Sequence, residues 1–258
     1  MTIAAVRFRK YLPFLLELVK KDFKLKYKRS ILGVFWSVLQ PLMLMVVMSI
    51  VFSALFRFDI ENFALYLITG HLIFGLFSES TTSSLSSIIE SEHIIKKVSV
   101  PLYMLPLAKV MSSLVNVALS MIALIIVALV TGAQPSLTMF LLPIPLIYTF
   151  VFSLGVGILL SATMVFFRDI AYLYGILVSI IMYLTPIFYP ISIIPDRYLF
   201  LINANPIKHF VQMFRNVVMF NTVPTLSEHL ICISFCVISI LVGVAVFRTK
   251  QRNFTLNI

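Results

Sequence analysis

Charge is scarce in this chain. Asp and Glu number 10, Lys and Arg 20, and charged residues are only 12% of 258 positions, about half the share usual in soluble globular proteins. With 60% of residues hydrophobic, a soluble fold is excluded, because no soluble core of this length needs so much apolar surface. Cysteine is nearly absent: Cys232 and Cys236 stand four apart in one apolar run, which suits small packing residues rather than a disulfide or a metal site. No G-x-x-x-x-G-K-[ST] segment occurs, so a P-loop nucleotide site is excluded. H-E-x-x-H and G-x-S-x-G are missing as well, and the four histidines are scattered, with His71 and His229 near the ends of apolar runs. Glu79 is the single carboxylate well inside such a run, Glu228 standing at the very start of the last one, and this scarcity weighs against ion-coupled transport and intramembrane catalysis. The ten-residue alternation of a membrane barrel is not seen, and neither is an internal repeat.

Long apolar runs are what the chain has in abundance. They cover residues 36–56, 64–89, 107–130, 137–167, 170–187 and 226–247, and several exceed the roughly 18 residues that mark a membrane span. In lipid the backbone satisfies its own polar groups, so such runs are helices. The expected fold is all-α and membrane-integral: six spans in residues 36–258, preceded by an amphipathic helix over residues 1–35. Arg57, Asp59 and Glu61 form a short polar loop, Thr131-Gly132-Ala133-Gln134-Pro135 a turn. Pro143 or Pro145 is expected to kink the fourth span. Residues 188–225 are broken by Pro190, Pro195, Pro206 and Pro224 and hold no piece long enough to cross. Two short re-entrant helices, 195–203 and 206–220, fit that stretch.

The leader carries Phe8, Leu12, Leu15, Val19, Phe23 and Tyr27 at helical spacing with lysines mostly off the stripe, the pattern of a helix lying in the membrane interface. Its first apolar stretch is short, contains Glu17 and is followed by lysines, so it does not read as a signal peptide. A net charge of +10 would suggest nucleic acid in a soluble protein. Here the basic residues sit near the ends of spans, pointing to topology and anionic headgroups instead. With the N-terminus inside, every Lys and Arg except Arg57, Arg197, Lys208 and Arg215 falls on the cytoplasmic side, so both termini are expected there.

Four local patterns stand in order. Tyr27-Lys28-Arg29-Ser30-x-Leu32-Gly33-x-x-Trp36 is followed by Pro41-Leu42. Ile94-Ile95-Lys96-Lys97 precedes Pro101 and Leu105-Pro106. Phe166-Phe167-Arg168-Asp169 closes the fourth span. Pro186-Ile187-Phe188-Tyr189-Pro190 comes before Asn205-Pro206. Together, in this order and spacing and over nearly the whole chain, they resemble the membrane subunit of bacterial type-2 ABC exporters, the group exporting O-antigen, capsule or teichoic acid. Leu102 stands where that family often has a basic residue. The resemblance implies a multi-pass protein of the bacterial cytoplasmic (inner) membrane, a homodimer paired with two copies of an ABC ATP-binding subunit that holds the ATP and Mg, and a lipid-linked glycan as cargo. No cofactor and no metal belong to this chain itself, and it is not an enzyme. The segment 90–106, with Glu90, Glu92, Ile94, Ile95, Lys96, Lys97 and Pro101, would dock into the ATPase. Residues 188–225 would form the external gate.

The residues admit these roles and plainer ones. The 90–106 break mixes charge with Ile94, Ile95, Val98 and Val100, as a docking helix does; otherwise it is a connecting loop. The 188–225 stretch is a gate or an interfacial cap. Arg168-Asp169 ends a span at the interface or forms a charge pair with a neighbour. Lys28 and Arg29 contact a lipid-linked diphosphate or set topology. Aromatic residues make up 13% of the chain, and their rings stack on sugar C–H faces, so Phe35, Trp36, Tyr66, Phe74, Tyr183 and Tyr189 are candidates for lining a pathway; lipid contact and helix packing are the alternative. Competing functions are export of a drug or small lipid, secondary transport, and an intramembrane glycosyl- or acyltransferase, which lacks the clustered carboxylates it would need.

Overall fold

A computed structural model of the chain describes residues 3–55, 60–98, 100–133 and 136–254. Arg57 and Asp59 of the expected loop, Gln134 and Pro135 of the expected turn, and the side chain of Phe8 lie outside them. The described residues contain helices and no strand: α1 Ile3–Tyr27, α2 Trp36–Leu55, α3 Phe63–Glu90, α4 Glu92–Ile95, α5 Met104–Val130, α6 Pro143–Phe166, α7 Ile170–Leu184, α8 Asp196–Asn203, α9 Pro206–Val218 and α10 Leu226–Lys250. Five segments are long and apolar enough to cross a membrane: Gly33–Phe52, Phe63–Glu90, Met104–Val130, Leu137–Phe166 and Leu226–Asn253. The fifth expected span is a 15-residue helix, Ile170–Leu184. It rises about 22 Å, short of a hydrocarbon core about 30 Å thick. It stops early because Pro186 offers no N–H and restricts the residue before it; Thr185 is accordingly extended (φ −90°, ψ 126°).

Two other boundaries move. The leader helix ends at Tyr27 rather than at 35, because Arg29 turns the chain with a left-handed φ of 67°; a short 3-10 turn, Gly33–Phe35, then leads into α2. The fourth run does not kink but breaks. Leu137–Leu141 forms a 3-10 turn, and α6 begins at Pro143, the first helical position where proline loses no hydrogen bond.

α3 is the central post, packing on α5, α6, α9 and α2. The hydroxyl-rich end of the second span explains how. Ser80, Thr81, Ser84 and Ser87 are buried, and such small polar residues let helix backbones approach closely. Ser84 Oγ donates to the Pro106 carbonyl of α5 at 3.3 Å, and a Cβ on Gly157 of α6 would come within 2.8 Å of Ser84. α6 meets α10 through another small-residue seam, where a Cβ on Gly243 would lie 2.3 Å from the Gly155 carbonyl oxygen. α1 packs Leu15, with Phe14, Leu18 and Val19 beside it, on Met104, Leu107, Ala108 and Met111 of α5. Its apolar stripe is thus partly a protein contact, not wholly a lipid one.

Candidate functional site

At one end of the bundle the chain turns sharply after α3. Ser91 N–H donates back to Ile88 O, and Ile94 N–H and Ile95 N–H to Ser91 O, so α4 projects from the end of α3. Ile95 packs against the cluster of Ile88, Leu105, Ile158, Ala162 and Val165 and anchors the short helix. Lys96, Lys97 and Val98 are exposed, while Glu92, Ile94, Val100 and Pro101 are half-buried. Glu92 pairs with Lys96 along the helix. The hydrogen bond from Lys96, then its charge, with a further contribution from Arg168, holds the Glu92 carboxyl below the usual range. Arg168 and Asp169, both exposed, therefore stand at the same end as α4, and no ion pair joins the two residues among the described contacts.

Behind α4, Lys109 bridges Asp22 of α1 (3.2 Å) and Glu90 of α3 (3.4 Å). Beside it Glu79, the intramembrane carboxylate of the sequence, accepts from Lys26 Nζ and Asn116 Nδ2, both at 2.7 Å, and Tyr27 Oη donates to Asn116 Oδ1 at 3.2 Å. These groups border a cavity of about 350 Å³ lined by Asp22, Lys26, Glu79, Ser83, Lys109 and Asn116. The elbow that follows presents Lys28, Arg29, Phe35 and Trp36, all exposed. The sequence pattern singled out Glu79 and Lys109 only for depth and sidedness; that they fasten α1 to α3 and α5 required the fold.

At the opposite end lies the break after α7. Tyr66 and Phe74 are buried inside the chain's own core, Tyr183 is 67% exposed, and Tyr189 is half-buried. Tyr66 Oη donates to Pro186 O (3.1 Å) and Tyr189 O (2.8 Å), and Tyr189 Oη donates to Tyr183 O at 2.6 Å. Phe74 packs edge-on against Phe77, with centroids 6.3 Å apart. Arg215 of α9, one of the four cations that the charge count places on the outer side, is 1% exposed. It donates to Pro186 O (2.7 Å), Tyr66 O (3.0 Å) and Ile187 O (3.4 Å), with its guanidinium 3.4 Å from the Tyr66 ring centroid. One signal was readable: Val211, Phe214 and Val218 surround Arg215 at helical spacing, which places a charge on the apolar face of a short helix.

A helical bundle of membrane-crossing length, with a charged projection at one end and a proline-broken segment at the other, is the layout of a polytopic membrane protein. Residues 14–219 match the family described as ABC-2 type transporter, and the chain belongs to that family. It is 31% identical over 242 residues to an O-antigen export system permease protein of Klebsiella pneumoniae, covering 93% of each chain. It is 25% identical to an O-antigen export system permease protein of Myxococcus xanthus, covering 95% of each, and 23% identical to a polysialic acid transport protein of Escherichia coli, covering 90% of this chain and 91% of the other.

Proposed function

We propose that this chain is the membrane subunit of an ATP-driven exporter that moves a lipid-linked polysaccharide, O-antigen or a similar cell-surface glycan, outward across the bacterial cytoplasmic membrane. The observation that carries this reading is near-full-length similarity to two groups of polysaccharide permeases in a chain without a P-loop. The energy then comes from a separate ATP-binding subunit, which holds ATP and Mg. Two copies of each subunit form the working unit, and both termini of this chain are cytoplasmic. The fifth of the six crossings is α7 continued to residue 187, and α8 and α9 dip into the outer leaflet as re-entrant helices.

In this reading α4 is the docking element. Its anchored Ile95 and outward Lys96, Lys97 and Val98 suit a short lever seated in a groove of the ATPase, with Glu90, Glu92, Ile94 and Pro101 shaping its root. Arg168 and Asp169 border the same contact. Lys28 and Arg29 meet the diphosphate of the lipid carrier. Phe35, Trp36, Tyr183 and Tyr189 offer ring faces to the sugar chain, while Tyr66 and Phe74 shape the wall from behind. Residues 188–225 gate the exit. The test is deletion of the chain in its host: surface glycan should vanish while lipid-linked glycan builds up inside, and complementation should need both this chain and the ATP-binding subunit. Normal surface glycan in the deletion strain, with loss of efflux of a drug or small lipid, would overturn the assignment.

A further inference from the structure

Arg215 is the one charged side chain fully buried among the described residues, and the hydrogen bonds it makes run to main-chain carbonyls. Its Nε has no partner. A buried charge recovers its desolvation cost only with full pairing, and Arg215 meets main-chain carbonyls and the Tyr66 ring rather than a counter-charge. Two of the carbonyls it holds, those of Pro186 and Ile187, lie in the stretch that Pro186 and Pro190 keep out of any helix, at a depth where unsatisfied backbone groups are costly. Space has been left for the contact: a Cβ on Gly70 would lie 2.8 Å from Arg215 Nη2 and 3.2 Å from Ile187 Cγ2.

From these features we infer that Arg215, seated in the Gly70 notch over the Tyr66 ring, is a releasable latch that positions the 185–190 segment and keeps the outer gate shut. It rests on the reading of 188–225 as that gate. Held by carbonyl dipoles and the Tyr66 ring with no counter-charge, and with one N–H unspent, the guanidinium recovers its hydration when water reaches it. The latched arrangement is therefore stable only while the exit is dry. Arg215 is a positioning residue: it acts through the carbonyls of Pro186 and Ile187, not on the cargo.

The test uses the full chain with Cys232 and Cys236 replaced by alanine. A single reporter cysteine is placed at Ile187, buried behind the latch, or at Ala162, buried near the opposite end of the bundle. Labelling of the detergent-solubilised chain by a polar, charged maleimide reaches both ends of the bundle and needs neither ATP nor glycan. Arg215→Met should raise labelling at position 187 roughly tenfold, the equivalent of about 1.4 kcal/mol, and leave position 162 protected. Gly70→Ala, which displaces the guanidinium without removing its charge, should do the same, and the double variant should go no further than either single change. Faster labelling at both reporters, unchanged labelling at both, or additive effects would each reduce Arg215 to a core-packing residue and overturn the latch. With the ATP-binding subunit present and Arg215 intact, ATP turnover should also expose position 187. If the variants expose it and turnover does not, the contact is real but the gating role falls.

Discussion

Individual side chains divide between those that hold the fold and those that present chemistry. Lys96 and Lys97 belong to the second group, since both are exposed beyond an anchored Ile95. Changing Lys96, Lys97 or Ile94 to Glu should cut glycan export by about tenfold or more while ATP hydrolysis by the complex continues, because each puts a new carboxylate into the docking contact, reversing a lysine's charge or desolvating a charge where Ile94 was apolar. The ratio of ATP hydrolysed to glycan exported reads this directly, and normal export in all three variants would remove the docking assignment. Glu79 belongs to the first group. Glu79→Ala strands Lys26 and Asn116 and should lower stability by about 1 kcal/mol, the modest value fitting a partly exposed site; thermal unfolding of the purified chain would show it. The Glu92–Lys96 pair has a definite sign with pH. A folded-state carboxyl held below its ordinary range stabilises α4 above that ordinary range and loses the effect as pH falls through the lowered value. Coupling should therefore be flat around neutrality and weaken only in acid.

Helices meet here by close approach rather than by bulk hydrophobicity, because lipid tails are as apolar as leucine. Gly155 and Gly243 mark the seam of α6 and α10, where an added Cβ would press on backbone. Gly243→Val should cost about 1–3 kcal/mol or more through overpacking and lower the yield of folded protein in membranes. Gly75→Ala, with nothing within 4 Å of the new Cβ, should leave the yield unchanged, and an equal loss in both would mean that the seam is not special. Short helices obey a different rule. α9 begins at Pro206 behind an Asn205 side chain that accepts from Ile207 N–H at 3.0 Å, and it buries Ile207, Phe210, Val211 and Phe214. It is held as part of the core, not laid against the surface.

Seen whole, the molecule has a well-packed centre and bare flanks. α3 is buried along most of its length, whereas α2 and α7 leave Val47, Ile50, Tyr172, Ile176 and Tyr183 exposed. Such faces suit lipid or another apolar protein surface. The purified chain alone should hydrolyse no ATP, and the intact complex should carry two copies of it with two of the ATP-binding subunit, measurable by mass. Hydrolysis by the isolated chain would overturn the division of labour.

Composition and periodicity alone determined that the chain is helical and membrane-bound, because a run of apolar residues has few other ways to satisfy its backbone. Motif order pointed to the family for the same local reason: each pattern sits at a helix end, where Pro, Gly and charge speak plainly. Tertiary structure decided what periodicity is blind to. It stopped the fifth run at Leu184, broke the fourth at Pro143 and turned the leader at Arg29. It also gathered Lys26, Glu79 and Asn116, and Tyr66, Pro186 and Arg215, from distant parts of the chain. Partnerships of that kind depend on which helix faces touch, and a charge such as Arg215 has the same letter whether it ends a span or holds three carbonyls in the interior.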